Sequence, residues 1–418
     1  METDRPTQEA RTLDAVRALL SAVIPKNPFQ TRRLADLAAR GLLDFRSLEE
    51  AARVLPITTK AELAADQEAY PPYGSNRTAP PSEYTRFCQT SGTSGQPLVF
   101  LDTAPSWEWL LGNWARIYRA AGVGPGDTIY FAFSFGPFLG FWTAFDAAQR
   151  AGCLCVPGGG LGSAARLRAM VRQKASVLLC TPTYALHLAD VARAEGIDTG
   201  CVRKILVAGE PGGSLPEVRA RLHAGWNGAQ VLDHYGMTEV GPVTFEDPQE
   251  PGVQRVIPGR YWVEVLEPGG NTPVPEGNLG ELVLTPLGRE DTPLLRYRTG
   301  DLVRAHWDAK GCRLDGGILG RADDMVVVRG VNLYPGAVES VVRSVPGILE
   351  YRVHLGFRGN MREVEVEVES CSTDALRALE RALESAFSLR IPVRGVPEGT
   401  LPRFEMKARR WLKSEGAK

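Results

Sequence analysis

The chain of 418 residues carries 48 basic and 49 acidic side chains, with 44% hydrophobic and 23% charged residues. That length suits two or three domains, the apolar share supplies a sizeable core, and the balanced charge lacks the basic excess of a nucleic-acid binder. Seven cysteines lie scattered without a C-x-x-C pair, which argues against a disulfide scaffold or thiolate zinc site and fits a reducing cytoplasm.

The N-terminal stretch METDRPTQEARTLDAV has acidic residues and no apolar segment, so no signal peptide is read there. Residues 10–60 then predict short amphipathic helices in LDAVRALLSAV, TRRLADLAARGLL and SLEEAARVL, each with apolar residues three and four apart. From about 84 to 320, β-rich runs alternate with helical ones: DTIYFAFSF, CLCVPGG, ASVLLCTP, RKILVAGEP and QVLDHYG are each separated by a helical stretch. This pattern predicts βαβ units and a mainly parallel sheet covered on both faces. The longest uncharged run, Thr128–Phe145, has 18 residues and touches the length of a membrane span. Ser134, Gly136, Pro137 and Gly140 interrupt it, so it reads as strand, loop and helix start, with no membrane association.

After about 250, YWVEVLEPGG, GELVLTPLG and DLVRAHW are strands joined by Gly/Pro turns, which predicts an antiparallel or barrel-like subdomain to about 320. The last stretch is a small α+β unit, in which the alternation EVEVEVE buries Val364, Val366 and Val368 on one face. The domains expected are 1–322 and 323–418. The fold class is α/β: a large N-terminal domain with parallel βαβ sheets and a β-rich subdomain, followed by a small mobile α+β domain.

Five motifs carry chemistry. Thr90-Ser91-Gly92-Thr93-Ser94-Gly95-Gln96-Pro97 is a Gly-rich loop whose backbone N–H groups and hydroxyls can approach phosphate oxygens, or else a flexible turn. It lacks the Gly-Lys-[Ser/Thr] ending of a Walker A loop. Tyr235-Gly236-Met237-Thr238-Glu239 follows an apolar strand, where the crevice of a parallel sheet lies; an aromatic ring, a hydroxyl and a carboxylate there can serve a base, a phosphate and Mg²⁺. Arg296–Asp301, RYRTGD, offers Asp301 to two ribose hydroxyls or forms a salt-bridged turn. Gly320–Asp324, GRADD, sits at the domain boundary, and LPRFEMKARR from Leu401 opens a basic tail. The chain holds 40 Arg and only 8 Lys, so a lysine within a motif is informative.

In this order the motifs resemble those of the adenylate-forming superfamily of acyl-CoA ligases, adenylation domains and luciferases. The short chain, the RGVNLYP segment after GRADD and the LPR tail are most similar to the phenylacetate-CoA ligase group. The resemblance implies that Ser91, Thr93 and Ser94 hold the ATP phosphates, that Gly209, Glu210 and Pro211 line the adenine, and that Tyr235 stacks on it beside Gly236 and Met237. It further implies that Thr238 touches the α-phosphate, Glu239 binds Mg²⁺, Asp301 binds ribose, Arg321 contacts ribose or phosphate, Asp323 is the hinge and Lys407 is the catalytic lysine. The activity implied is ATP-dependent acid–CoA ligation through an acyl-adenylate. Delivery of the acyl group to a carrier-protein phosphopantetheine or an amine is the alternative, and a catalytically inactive nucleotide-binding protein is the alternative of another class.

Three departures from the superfamily pattern stand out. Leu98 follows Gln96-Pro97 where many members carry Lys; GCRLDGGILGR keeps only Cys312 of a cluster that holds zinc in some relatives; and Phe404 and Met406 replace small residues. No structural zinc is expected. Phe131, Phe133, Phe135, Phe138, Phe141, Trp142 and Phe145 crowd into fifteen residues without Arg, Lys or His. They form either plain core or the wall of a pocket for an aryl acid, with Phe133, Phe138, Phe141 and His234 as the candidate lining. A homodimer stays open.

Overall fold

A computed structural model describes residues 4–90, 97–329, 331–358, 361–370, 372–404 and 409–413. Helices Arg5–Val23, Pro28–Ala39 and Leu48–Val54 occupy the three expected stretches. A fourth, Lys60–Ala69, starts on a capping box in which Thr59 and Glu62 each accept the other's backbone N–H. Val16, Leu19 and Leu20 turn inward onto Trp262 and Leu295, so these helices cover the β-rich unit.

The central sheet is parallel and five-stranded, in the order Leu154–Pro157, Thr128–Phe131, Val177–Cys180, Lys204–Val207, Gln230–Asp233. Side-chain alternation explains why both its faces are apolar. Ile129, Phe131, Val177, Leu179, Leu206 and Leu232 enter one core with Trp107, Leu110 and Trp114 of helix Ala104–Ala120. Tyr130, Leu178, Ile205, Val207 and Val231 enter the other, with Tyr184, Leu188 and Trp226. The chain runs from Thr128–Phe131 to one neighbour, Leu154–Pro157, and then crosses to the other, Val177–Cys180, so the strand order reverses there. Loops at the carboxyl ends beside such a reversal are where an α/β sheet receives its ligand.

The run read as DTIYFAFSF is a strand only over Thr128–Phe131. Beyond it Phe133–Phe138 forms a loop, the paired strand also ending where Phe131 meets Pro157, and helix Leu139–Arg150 begins immediately.

The β-rich unit is an open antiparallel sheet, in the order Thr244–Glu246, Val253–Val256, Gly311–Asp315, Tyr297–Asp308, Leu279–Pro286, Tyr261–Leu266, with Gly320–Arg321 pairing Tyr297–Asp308. The C-terminal unit has its own core. Val353, Val366 and Val368 of its sheet meet Val338 and Val342 of helix Pro335–Ser344 and Leu379 and Leu383 of helix Thr373–Phe387. The inward face expected of Val364, Val366 and Val368 is buried. No helix among the described residues is long and apolar enough to cross a membrane.

Candidate active site

Three loops leave the carboxyl edge of the parallel sheet towards the β-rich unit. The first follows Val207 and carries Gly209, Glu210 and Pro211. Glu210 accepts the backbone N–H of Thr183 (2.8 Å), in the first turn of helix Pro182–Ala194, where the helix dipole favours an acid. The second follows Asp233 and carries His234, Tyr235, Gly236, Met237, Thr238 and Glu239. The third is the aromatic loop after Phe131.

The loop holding Ser91, Thr93 and Ser94 lies outside the described residues, as does Lys407. What flanks each is well defined. Strands Tyr84–Gln89 and Val99–Thr103 pair antiparallel, and Thr90 exchanges backbone and side-chain bonds with Leu98 (2.9 Å each), so the phosphate-loop candidate is closed at its base as a hairpin. The Lys407 stretch is pinned at both ends. Arg403 pairs with Glu369 (2.6 Å) and Arg410 with Glu350 (2.8 Å). Burial alone would raise Glu350, but bonds from Arg410 and the charges of Arg343 and Arg410 outweigh it and hold the carboxyl at about 2. Arg403 and Arg410, at least, belong to a built framework and not to a solvated tail.

Tyr235, Asp301, Arg321 and Asp323 form one connected chain. The Tyr235 hydroxyl donates to Asp301 (2.6 Å), and Arg321 donates both to the other oxygen of Asp301 (3.2 Å) and to Asp323 (2.8 Å). Burial, with Asp301 beside it, pushes the Tyr235 phenol well up, so it remains a donor. Gly300 makes the approach possible: it has φ +79°, and a Cβ there would stand 2.5 Å from Arg321 Nη2. Tyr235 is only 9% exposed, its ring packed beside Val240 and Tyr297.

Glu239 is 4% exposed and accepts from the Tyr297 hydroxyl (3.3 Å). Arg289, which the motifs did not single out, fastens this loop. Its guanidinium forms two bonds to buried Asp102 (2.7 and 2.6 Å) and donates to the carbonyls of Thr238 and Glu239 (2.8 Å each). Asp102 belongs to the strand leading out of the phosphate-loop hairpin, so one side chain ties the two candidate phosphate-facing loops together. The available signal was an acid inside the apolar run VFLD; nothing in LGREDTP marked its partner.

Phe133 and Phe141 stack at 4.0 Å, with Phe138 edge-on to Phe141 at 5.7 Å. His234 lies edge-on to Trp114 at 4.5 Å, and the Trp114 indole bonds Thr143 on the helix that bears Phe141. His234 therefore approaches the aromatic cluster through Trp114. Burial holds its pKa down at about 4, so it is neutral.

Asp233, directly before it, is 5% exposed, accepts from Ser214 (2.7 Å) and Gln254 (2.8 Å), and leaves Gly213 no room for a Cβ, which would sit 2.5 Å away. Burial, with Glu246 nearby, pushes Asp233 up to about 7 from 3.8. The folded state thus keeps a proton that the unfolded chain has lost, and this contribution disappears as pH rises towards 7. His234, lowered to about 4 from 6.5, acts oppositely: its contribution is lost as pH falls through that window. The two slopes oppose each other between about pH 4 and 6.5. Asp233→Asn should therefore make the urea midpoint climb more steeply with pH across that range than in the wild type. An unchanged slope would show Asp233 to be ionised in the fold.

The family described as AMP-binding enzyme matches residues 15–286, and the AMP-binding enzyme C-terminal domain matches residues 330–414. The phenylacetate-coenzyme A ligase of Pseudomonas putida is 33% identical over 363 residues, covering 85% of this chain and 80% of that protein. The enzyme of the same name from Thermus thermophilus is 32% identical over 375 residues, covering 87% and 82%. Among solved structures, 2-hydroxyisobutyryl-CoA ligase in the postadenylation state with R3-HIB-AMP superposes with a TM-score of 0.91 at 26% identity, covering 99% of this chain and 91% of that one. The same ligase with 2-HIB-AMP and CoA in the thioesterification state gives 0.72 at 27% identity, with the same coverage.

Proposed function

Because this chain belongs to the AMP-binding enzyme family and is an ATP-dependent, AMP-forming acid–CoA ligase, we propose that its acid is an aryl, phenylacetate-like one, activated on the carboxyl edge of the parallel sheet. The observation that carries the site assignment is the Tyr235–Asp301–Arg321 chain beside the Thr238–Glu239 loop. Asp301, oriented by Tyr235 and Arg321, is the carboxylate assigned to the ribose hydroxyls. Glu239 fits Mg²⁺, an ion that commonly takes one or two carboxylates and fills its shell with phosphate oxygens and water. Bound there, the ion would neutralise phosphate charge.

In the first half-reaction a carboxylate oxygen of the acid attacks the α-phosphorus of ATP, and pyrophosphate leaves. In the second, the CoA sulfur attacks the acyl carbon, the thiol gives up its proton, and AMP leaves. Thr238 is assigned to the α-phosphate, Lys407 to the meeting point of carboxylate and phosphate, and Gly209–Pro211 to the adenine edge. Rotation of 323–418 about Asp323 between the steps is supported by its place between strand Gly320–Arg321 of one sheet and Val326–Val328 of the next unit. The described cysteines are unpaired, which agrees with a reducing cytoplasm.

The aryl assignment rests on the rings of Phe133, Phe138 and Phe141 and on the phenylacetate-CoA ligases among the relatives. A pyrophosphate-release screen with CoA over aryl, fatty and short 2-hydroxy acids tests it, with the acyl-CoA product identified by mass. Aryl acids should give a kcat/KM at least tenfold above the rest; preference for a short branched acid would overturn the assignment. Pyrophosphate exchange without acyl-CoA would instead point to a carrier-protein or amine acceptor.

A further inference from the structure

Between the two parts of the chain lies a small cleft, bordered by the start and end of the LPRFEMKARR motif and lined by charged side chains from both sides. Helix Pro182–Ala194 contributes His187 and Asp190, and helix Pro216–Gly225 contributes Arg221. The C-terminal unit contributes Arg343, Glu350 and Arg410, each at least nine-tenths buried, and its helix Pro335–Ser344 packs against Pro216–Gly225.

The ion pairing here leaves one charge over. Glu350 and Glu339 are shared between Arg343 and Arg410, and Asp190 pairs with Arg193 (3.3 Å). Arg221 has no carboxylate within ion-pair distance among the described residues, and its buried Nη1 has no hydrogen-bond partner there. Burial, with Arg343 and Arg410 nearby, pushes its pKa down against the pull of Asp190 and Glu350. A buried donor left unpaired is costly, and an anion would satisfy it.

We propose that this cleft is a binding site for a phosphate-class anion, held by Arg221 on one side with Arg343 and Arg410 on the other. A guanidinium presents two parallel N–H groups, which suits an oxyanion of this shape, and the one positive charge left over at Arg221 attracts it. The site joins the two parts of the chain, and the arrangement that builds it superposes on the postadenylation state of the related ligase far better than on its thioesterification state. An anion that binds only one arrangement stabilises it by its differential affinity. Occupancy therefore favours the arrangement seen here and slows the second half-reaction. The binding part of this inference does not depend on which acid is used.

The test is calorimetric titration of the full-length enzyme with inorganic phosphate, then with CoA and dephospho-CoA as competitors to separate free phosphate from a phosphate ester as the source. Saturable binding should weaken at least tenfold in Arg221→Gln and be partly kept in Arg221→Lys, with the melting temperature of each variant confirming the fold. In single-turnover thioester formation from preformed adenylate, phosphate should slow the wild type several-fold and leave Arg221→Gln unaffected, while pyrophosphate exchange without phosphate stays the same in both. Equal phosphate affinity in wild type and Arg221→Gln, or no saturable binding to a folded wild type, would overturn the site.

Discussion

Replacing Lys407 by alanine should lower acyl-adenylate formation by about 10²–10³-fold, while thioester formation from supplied adenylate stays within a few-fold of the wild type. The reason is charge. A carboxylate approaching the α-phosphate brings two anions together, and a positioned cation is stronger as their charge shifts in the transition state than in the ground state. The second half-reaction starts from a mixed anhydride already formed, so it needs no such cation at that point. Pyrophosphate exchange reads the first step and single-turnover acyl-CoA formation the second. Equal losses in both would remove Lys407 from its assigned role. The flanking pairs Arg403–Glu369 and Arg410–Glu350 give a control, since they hold the ends of the segment. Glu369→Gln should impair both steps together through the framework.

How much of this was legible beforehand depends on range. The parallel sheet, the β-rich unit and the buried valines of EVEVEVE follow from local alternation, which a sequence displays directly. Motif order singled out Glu239, on a strand-end loop of the parallel sheet, and Asp301, in the antiparallel strand Tyr297–Asp308. Partners distant along the chain were not legible. Arg289 and Asp102 stand 187 positions apart, and Tyr235 and Asp301 stand 66 apart. No period or spacing encodes such pairs; only the folded sheet brings them together. The strand written as DTIYFAFSF shows the converse limit, where apolar composition continued past Phe131, at which the strand and its partner ending in Pro157 both stop.

Those distant partners also support the second large expected effect. Arg289→Met should destabilise the protein by about 3–5 kcal/mol, because it strands the Asp102 carboxylate in a fully buried place. Burial disfavours the Arg289 charge, yet Asp102 outweighs it and holds the guanidinium pKa up. Asp102 is thus the group that makes a charged arginine tolerable there. Removing both charges in Arg289→Met/Asp102→Leu should recover most of that stability, since an apolar replacement of a buried ion pair is often neutral or better. Activity should not recover with it. The carbonyls of Thr238 and Glu239 would still lack their donor, and the loop assigned to the nucleotide would lose its tie to the strand beyond the candidate phosphate-loop hairpin. Urea denaturation should therefore place the double variant near the wild type, while its KM for MgATP stays raised at least tenfold. Joint recovery of stability and KM would mean that Arg289 serves packing alone. Recovery of stability without KM would establish it as the residue that positions the Thr238–Glu239 loop.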